Sequence, residues 1–458
     1  MLAKLKSPIG CALATALFLG ACLVTLVALG KKEDPYLAEV ALPGSKNRLR
    51  LLSTTAGPLD YNWKPPRFEN WIPRPGVSYV PPIQVKLTGL DSMTSQPGHT
   101  FLFRTVDDRG KYTNPNQTTM GFEFTESTGY VFKRYGFVDF PHWGVYALTR
   151  SCLPRRDKEL TIRIEPDWNA KPFVEMKIPN PAYQEQIVEW TPEPLPATRV
   201  RGALTARIHG MTYVPSNFGE GFFSFDIRGE STSAEWSGCY FSATLEDATG
   251  NRGNDLSPFE PAWKVHARAY RGGAAEFPAD LVSPRVKVTI PAPGTIVELG
   301  QVLEAGGLKI LIRSVSGVGV ITEQLGTFSA KSLPAPKPDE PPLQRARLSA
   351  DHINGKPLMT VTTPRPLVWI EPLGISNEVH TVVRQFEADG QVKACDPNFM
   401  QTGERHIILA ELNVPTGATE TEIQVAINRP EPFEFVVAPP EEARTYWKER
   451  ARKENESQ

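Results

Sequence analysis

The stretch LEDATGNRGNDLSPFEPAW, residues 245–263, is the most site-like segment of the chain. Glu246, Asp247, Asn251, Asn254 and Asp255 supply carboxylate and amide oxygens of the kind calcium prefers. Their spacing departs from the EF-hand loop, and the basic Arg252 stands in the middle. The same residues also suit a plain polar turn. Asp and Asn bond their own backbone, and Gly250 and Gly253 allow positive φ. Asp107, Asp108, Glu387 and Asp389 fall at comparable points further up and down the chain. They point to a shared turn rather than a shared metal, because nothing there matches Asn251, Asn254 and Asp255.

Other chemistry is sparse. The seven histidines (99, 142, 209, 266, 352, 380 and 406) are scattered, with no HExxH pair. A structural zinc site needs about four convergent ligands, which no local stretch provides. There is no GxSxG elbow, no GxxxxGK[ST] phosphate loop and no GxGxxG after a strand. A site assembled from distant residues stays open, since hydrolytic triads are spatial rather than sequential. Trp143, Trp168, Trp190, Trp236 and Trp263 are candidates for glycan contact, although a strand tryptophan more commonly belongs to a core. Asn116-Gln117-Thr118 fits the N-glycosylation pattern. Cys152, Cys239 and Cys395 are too few and too far apart for a disulfide scaffold, and read as buried thiols.

The elements that must position these residues are strands. Proline is abundant, 43 of 458 residues, about twice the usual share of ~5%. It breaks helix interiors and favours short strands and loops. Period-two alternation is clear in WKVHARAYR, where Trp263, Val265, Ala267 and Ala269 share one face. In TEIQVAI, Ile423, Val425 and Ile427 do the same. The expected class is all-β, with tandem antiparallel β-sandwich modules of general immunoglobulin-like architecture and a short C-terminal helix.

The expected organisation follows the punctuation. Residues 31–80 form an extended Pro-rich segment, 81–181 a first module, 182–196 a linker and 197–331 a second module. Residues 332–342 form a Pro-rich linker, 343–440 a third module and 441–458 a helix. In that helix Ala443, Tyr446, Trp447 and Ala451 share a face suited to docking on the third module or on a partner.

Residues 1–30 are apolar and uncharged from 9 to 30, with lysines on both sides. The length suits a retained membrane anchor, which needs about 20 residues. Ala28-Leu29-Gly30 also suits a signal peptidase, giving a secreted product. Leu19-Gly20-Ala21-Cys22 resembles a lipobox that would lipidate Cys22, although the run after Cys22 stays apolar. The expected location is the cell membrane or envelope, with most of the chain outside the cytoplasm. Basic and acidic residues are balanced, 50 against 51, so no basic stripe recommends nucleic acid as a partner. The expected role is a non-enzymatic surface protein binding a protein or polysaccharide, without a cofactor unless calcium. The alternatives are a hydrolase with an inter-module site and a component of an envelope assembly.

Overall fold

The structure is a computed structural model. It describes residues 36–43, 45–63, 83–90, 96–108, 121–132, 145–165, 174–215, 221–273, 275–324, 327–333, 346–353, 356–373, 380–387, 389–395, 397–402, 405–415 and 417–456. The apolar run 9–30 with Cys22, residues 116–118, Trp143 and Trp168 lie outside the described residues. So do most of the aromatic and proline-rich stretch before residue 83 and most of 332–342. The chain is all-β with one C-terminal α-helix among the described residues, and every strand pair is antiparallel. No helix of the described residues is long and apolar enough to cross a membrane.

The first unit packs two four-stranded sheets face to face. One has the order Ala38–Ala41, Arg48–Ala56, His99–Val106, Val145–Arg150. The other runs Val174–Pro179, Glu159–Glu165, Gly121–Thr125, Val131–Phe132. Phenylalanines at alternate positions meet between them, Phe103 on Phe122 at 4.6 Å and Phe101 on Phe124 at 5.0 Å between ring centroids. The outer face of the first sheet is covered in turn by the pair Leu59–Trp63 and Ile83–Leu87. This is why His99–Val106 is buried on both sides.

In the second unit, the sheet Ala197–Arg201, Leu204–Val214, Phe222–Ser231 faces the sheet Tyr240–Asp247, Trp263–Tyr270, Glu431–Val437. Trp263, Val265 and Ala267 point inward as the alternation requires, with Phe223 edge-on to Trp263 at 4.9 Å. The last strand of this sheet comes from far along the chain: Trp263 pairs with Val437 and Ala269 with Glu431. The chain therefore leaves the second unit at Tyr270, builds a third unit, and returns beside its point of departure. Asn428, fully buried, closes that neck. Its Oδ1 accepts from the Arg271 N–H at 3.1 Å and its Nδ2 donates to the Arg271 carbonyl at 2.8 Å.

The third unit has three layers. The middle one is the sheet Ile296–Ala305, Leu308–Ser316, Leu367–Leu373, Arg405–Glu411, Pro397–Thr402. On one side Val368, Ile370, Ile408 and Ala410 pack with Ile423, Val425 and Ile427 of the sheet Val286–Thr289, Glu420–Asn428, His380–Phe386, Val392–Ala394. On the other, Leu367, Trp369, Ile407 and Leu409 pack with Ile321, Met359 and Val361 of the sheet Thr327–Lys331, Gly319–Gln324, Lys356–Thr363, Arg347–Ile353.

Strand pairing thus runs across the expected second-to-third boundary. Val286–Thr289 pairs with Glu420–Asn428, and Gly319–Gln324 with Lys356–Thr363. The proline-rich stretch 332–342 connects two edge strands of one sheet instead of separating two modules. The reason is that proline reports a segment unable to pair, which marks a long connection as readily as a domain boundary.

The stretch between the first two units does lie at a junction, but it is seated rather than free. The Asn180 amide bonds the carbonyls of Pro154 and Asp157, and Gln184 reaches the Thr249 carbonyl. The helix Glu441–Glu456 docks through the expected face, though not onto the third unit. Trp447 stands edge-on to Tyr130 of the first unit at 4.8 Å, Tyr446 tilts against Tyr213 of the second at 5.5 Å, and Ala443 is fully buried. Arg444 donates to the carbonyls of Pro258 and Glu260. The helix straps the first two units together.

Candidate functional site

The acidic stretch 245–263 lies between the first and second units, and its residues divide among separate tasks. Asp247 is buried and its two oxygens are surrounded by donors of its own turn: the Thr249 N–H at 2.9 Å and hydroxyl at 2.6 Å, and the Asn251 N–H and side-chain amide, both at 3.0 Å. Burial pushes its carboxyl up to about 6, against those bonds. Asn251 reaches into the first unit, accepting from the Leu153 N–H at 3.2 Å and donating to the Leu153 carbonyl at 3.0 Å. Asp255 does likewise, taking the Tyr130 hydroxyl at 2.9 Å and Arg150 at 3.0 Å. Glu246 faces the other way, to Arg252 at 2.9 Å and His266 at 2.7 Å, and Asn254 is exposed. The five expected calcium ligands are spread over a turn, two tethers, a surface ion pair and open solvent. Among the described residues no three His, Cys, Asp or Glu side chains are grouped to hold a metal.

The turn itself recurs. Asp247 to Asn251, Glu387 to Gln391 and Glu126 to Tyr130 share one backbone pattern. In each, the acidic residue's N–H bonds the carbonyl four residues on, and a glycine N–H bonds back to the acidic residue. The glycines, Gly129, Gly250 and Gly390, have φ of +87°, +84° and +83°, the left-handed position of a three-residue hairpin. Sequence comparison paired Asp247 with Asp107 in the first unit. The turn with the same hydrogen bonds is at Glu126, which was missed because ESTGY carries one acid rather than a cluster.

Glu126 is buried in the junction, where its Oε2 accepts from Ser257 at 2.6 Å and Thr128 at 2.5 Å. Burial pushes its carboxyl up to about 7, the hydroxyls oppose this, and the charges of Glu260 and Asp157 add to it. Arg156 holds Glu260 and Glu189 together at 2.6–3.0 Å. Cys152, pushed up to about 12 by burial, sits in the same junction with its thiol 3.2 Å from the Arg252 carbonyl. That is the chemistry of an inert thiol.

An open surface lies around the corner, on the outer face of the sheet that holds Trp263–Tyr270. Side chains cross it in rows set by the register: Tyr240 beside Tyr270; Ser242, Arg268 and Pro432; Thr244, His266 and Glu434; Glu246, Lys264 and Val436. A groove of about 680 Å³ crosses these rows, lined by Arg201, Thr244, Arg252, His266, Arg268 and Glu434, with Gln96 and Pro97 of the first unit at its wall. At one end Tyr270 stacks between Tyr240, at 5.3 Å, and His380 of the third unit, at 4.0 Å and 5°. The Tyr240 hydroxyl lies 3.2 Å from His380 Nδ1. Burial and the Arg268 charge hold the His380 imidazole below its usual range. At the other end Lys264 stands over the Trp190 ring at 4.5 Å. All three units contribute to this face.

Of the glycan-contact tryptophans that are described, Trp190 alone is more than marginally accessible; Trp263 is core and Trp236 nearly so. His266 has Nε2 at 2.7 Å from Glu246 and Nδ1 at 3.8 Å from Glu434. Both ring nitrogens face carboxylates. Sequence reasoning gave His266 and Arg268 as one face of a strand; the groove depends on Glu434, and the pairing that brings it there spans some 170 residues. No protein-family model, no curated protein and no solved structure matches this chain.

Proposed function

We propose that this is a non-enzymatic binding protein of the cell membrane or envelope, and that it holds a polysaccharide on the outer face of the second unit. The observation that carries the reading is the row of polar side chains, Thr244, Ser242, His266 and Arg268, ending in the exposed Tyr240 ring. Saccharides are recognised by side-chain hydrogen bonds to hydroxyls together with stacking on an aromatic face, and this surface offers both. Binding without turnover is supported by His266, whose Nε2 lies 2.7 Å from Glu246 and whose Nδ1 faces Glu434 at 3.8 Å. The paired sheets of the first two units support a description as tandem sandwiches of general immunoglobulin-like architecture. The apolar run 9–30 supports anchoring, with the bulk of the chain outside the cytoplasm.

The test is glycan binding by the full-length protein in detergent. Tyr240→Ala should weaken binding about tenfold, the scale of one lost stacking platform plus its area, with no reducing ends released over hours. Release of reducing ends that stops with His266→Ala would replace this reading with the hydrolase.

A further inference from the structure

Resting on that reading of the same face, we infer that the groove selects polysaccharides bearing carboxylate groups. Three guanidiniums, from Arg201, Arg252 and Arg268, line it against the single lining carboxylate of Glu434. Glu246 beside Arg252 and Glu431 beside Arg201 balance the charge around the groove, so the preference rests on the exposed guanidinium forks within the lining and not on a net positive field. The Arg201 and Arg252 side chains are more than half exposed, at 58% and 57%, so their forks meet solvent although each has an acidic neighbour, Glu431 at 3.9 Å and Glu246 at 2.9 Å. A guanidinium matches a carboxylate with two parallel hydrogen bonds, and an exposed pair can exchange one carboxylate for another at little cost.

The floor argues against a peptide that binds by strand addition, which needs a free sheet edge. The floor strand Trp263–Tyr270 is hydrogen-bonded on both edges, to Tyr240–Asp247 and to Glu431–Val437. What the sheet presents upward is side chains: Arg268 and His266 of this strand beside Ser242 and Thr244 of Tyr240–Asp247, with Tyr240 at the end.

The experiment compares polygalacturonate with its fully methyl-esterified form, the same chain without the charge, by calorimetry on the full-length protein. Polygalacturonate should bind about tenfold more tightly, the equivalent of one charged hydrogen bond, and the difference should shrink with salt. Arg201→Gln and Arg268→Gln should each remove most of that difference, lowering the affinity for polygalacturonate far more than that for the esterified chain. Arg201→Lys, which keeps the charge and loses the fork, should fall between. Equal binding of the two glycans overturns the charge selection while the binding function stands. Binding of neither overturns both. Tighter binding of poly-glutamate than of polygalacturonate at equal charge overturns the choice of saccharide.

Discussion

Glu126→Gln should remove most of a pH dependence built into the junction of the first two units. The folded-state carboxyl lies near 7 against 4.5 when free, so folding carries a proton that the open form releases. Below the free value both forms are protonated. As pH rises through the folded value the junction must hold a buried anion, and its stability falls. The full shift corresponds to about 3 kcal/mol, rather less than half of which is lost between pH 6 and 8. Asp247, pushed up to about 6, adds well under about 1 kcal/mol over that interval. Amide hydrogen exchange of the peptide covering 247–260 reports local opening directly. After correction for intrinsic exchange, protection in the parent chain should fall between ten- and thirtyfold from pH 6 to 8, and by only about twofold in Glu126→Gln. An unchanged slope in the variant, or protection that rises with pH in the parent, would refute the assignment of the proton to Glu126.

Two further outcomes follow from the packing. Trp447→Ala empties a buried site between the first two units, and should cost about 3–5 kcal/mol, read as a shift of their urea transition with the third unit's transition unmoved. Replacing residues 272–428 by an Asn-Gly turn should leave the pairing of Trp263–Tyr270 with Glu431–Val437 intact, because the register then sets Arg271 opposite Arg429. Loss of exchange protection in that strand would show that the third unit is needed to hold it.

Strands were legible in the sequence and their partners were not. WKVHARAYR and TEIQVAI place their apolar residues inward as alternation requires, because side-chain direction is fixed within the strand itself. Leu367–Leu373 gives no such alternation, since a middle layer is covered on both faces and Leu367 and Trp369 are as buried as Val368 and Ile370. Pairing is a property of two segments, and nothing in RPEPFEFVV says that its neighbour lies before the third unit. The helix shows the same division: its apolar stripe could be read, while the surface under it had to be seen. In the acidic stretch, Asp, Asn and Gly announced a tight turn. That Asn251 and Asp255 reach across to Leu153 and Arg150 depended on a neighbour the local sequence does not contain.

The neck at Arg271 and Asn428 also sets a schedule for synthesis. Trp263–Tyr270 leaves the ribosome with one edge unpaired, and its second partner follows roughly 160 residues later. At translation rates of about 5–20 residues per second the wait is about 8–32 s. During it the inward row of Trp263, Val265 and Ala267 lacks Phe433 and Phe435 above it, while the third unit has all of its own strands and can fold first. The second unit is therefore begun early and completed after the third, and the strapping helix, which emerges after all of these strands, fastens the first two units only when everything between them is in place.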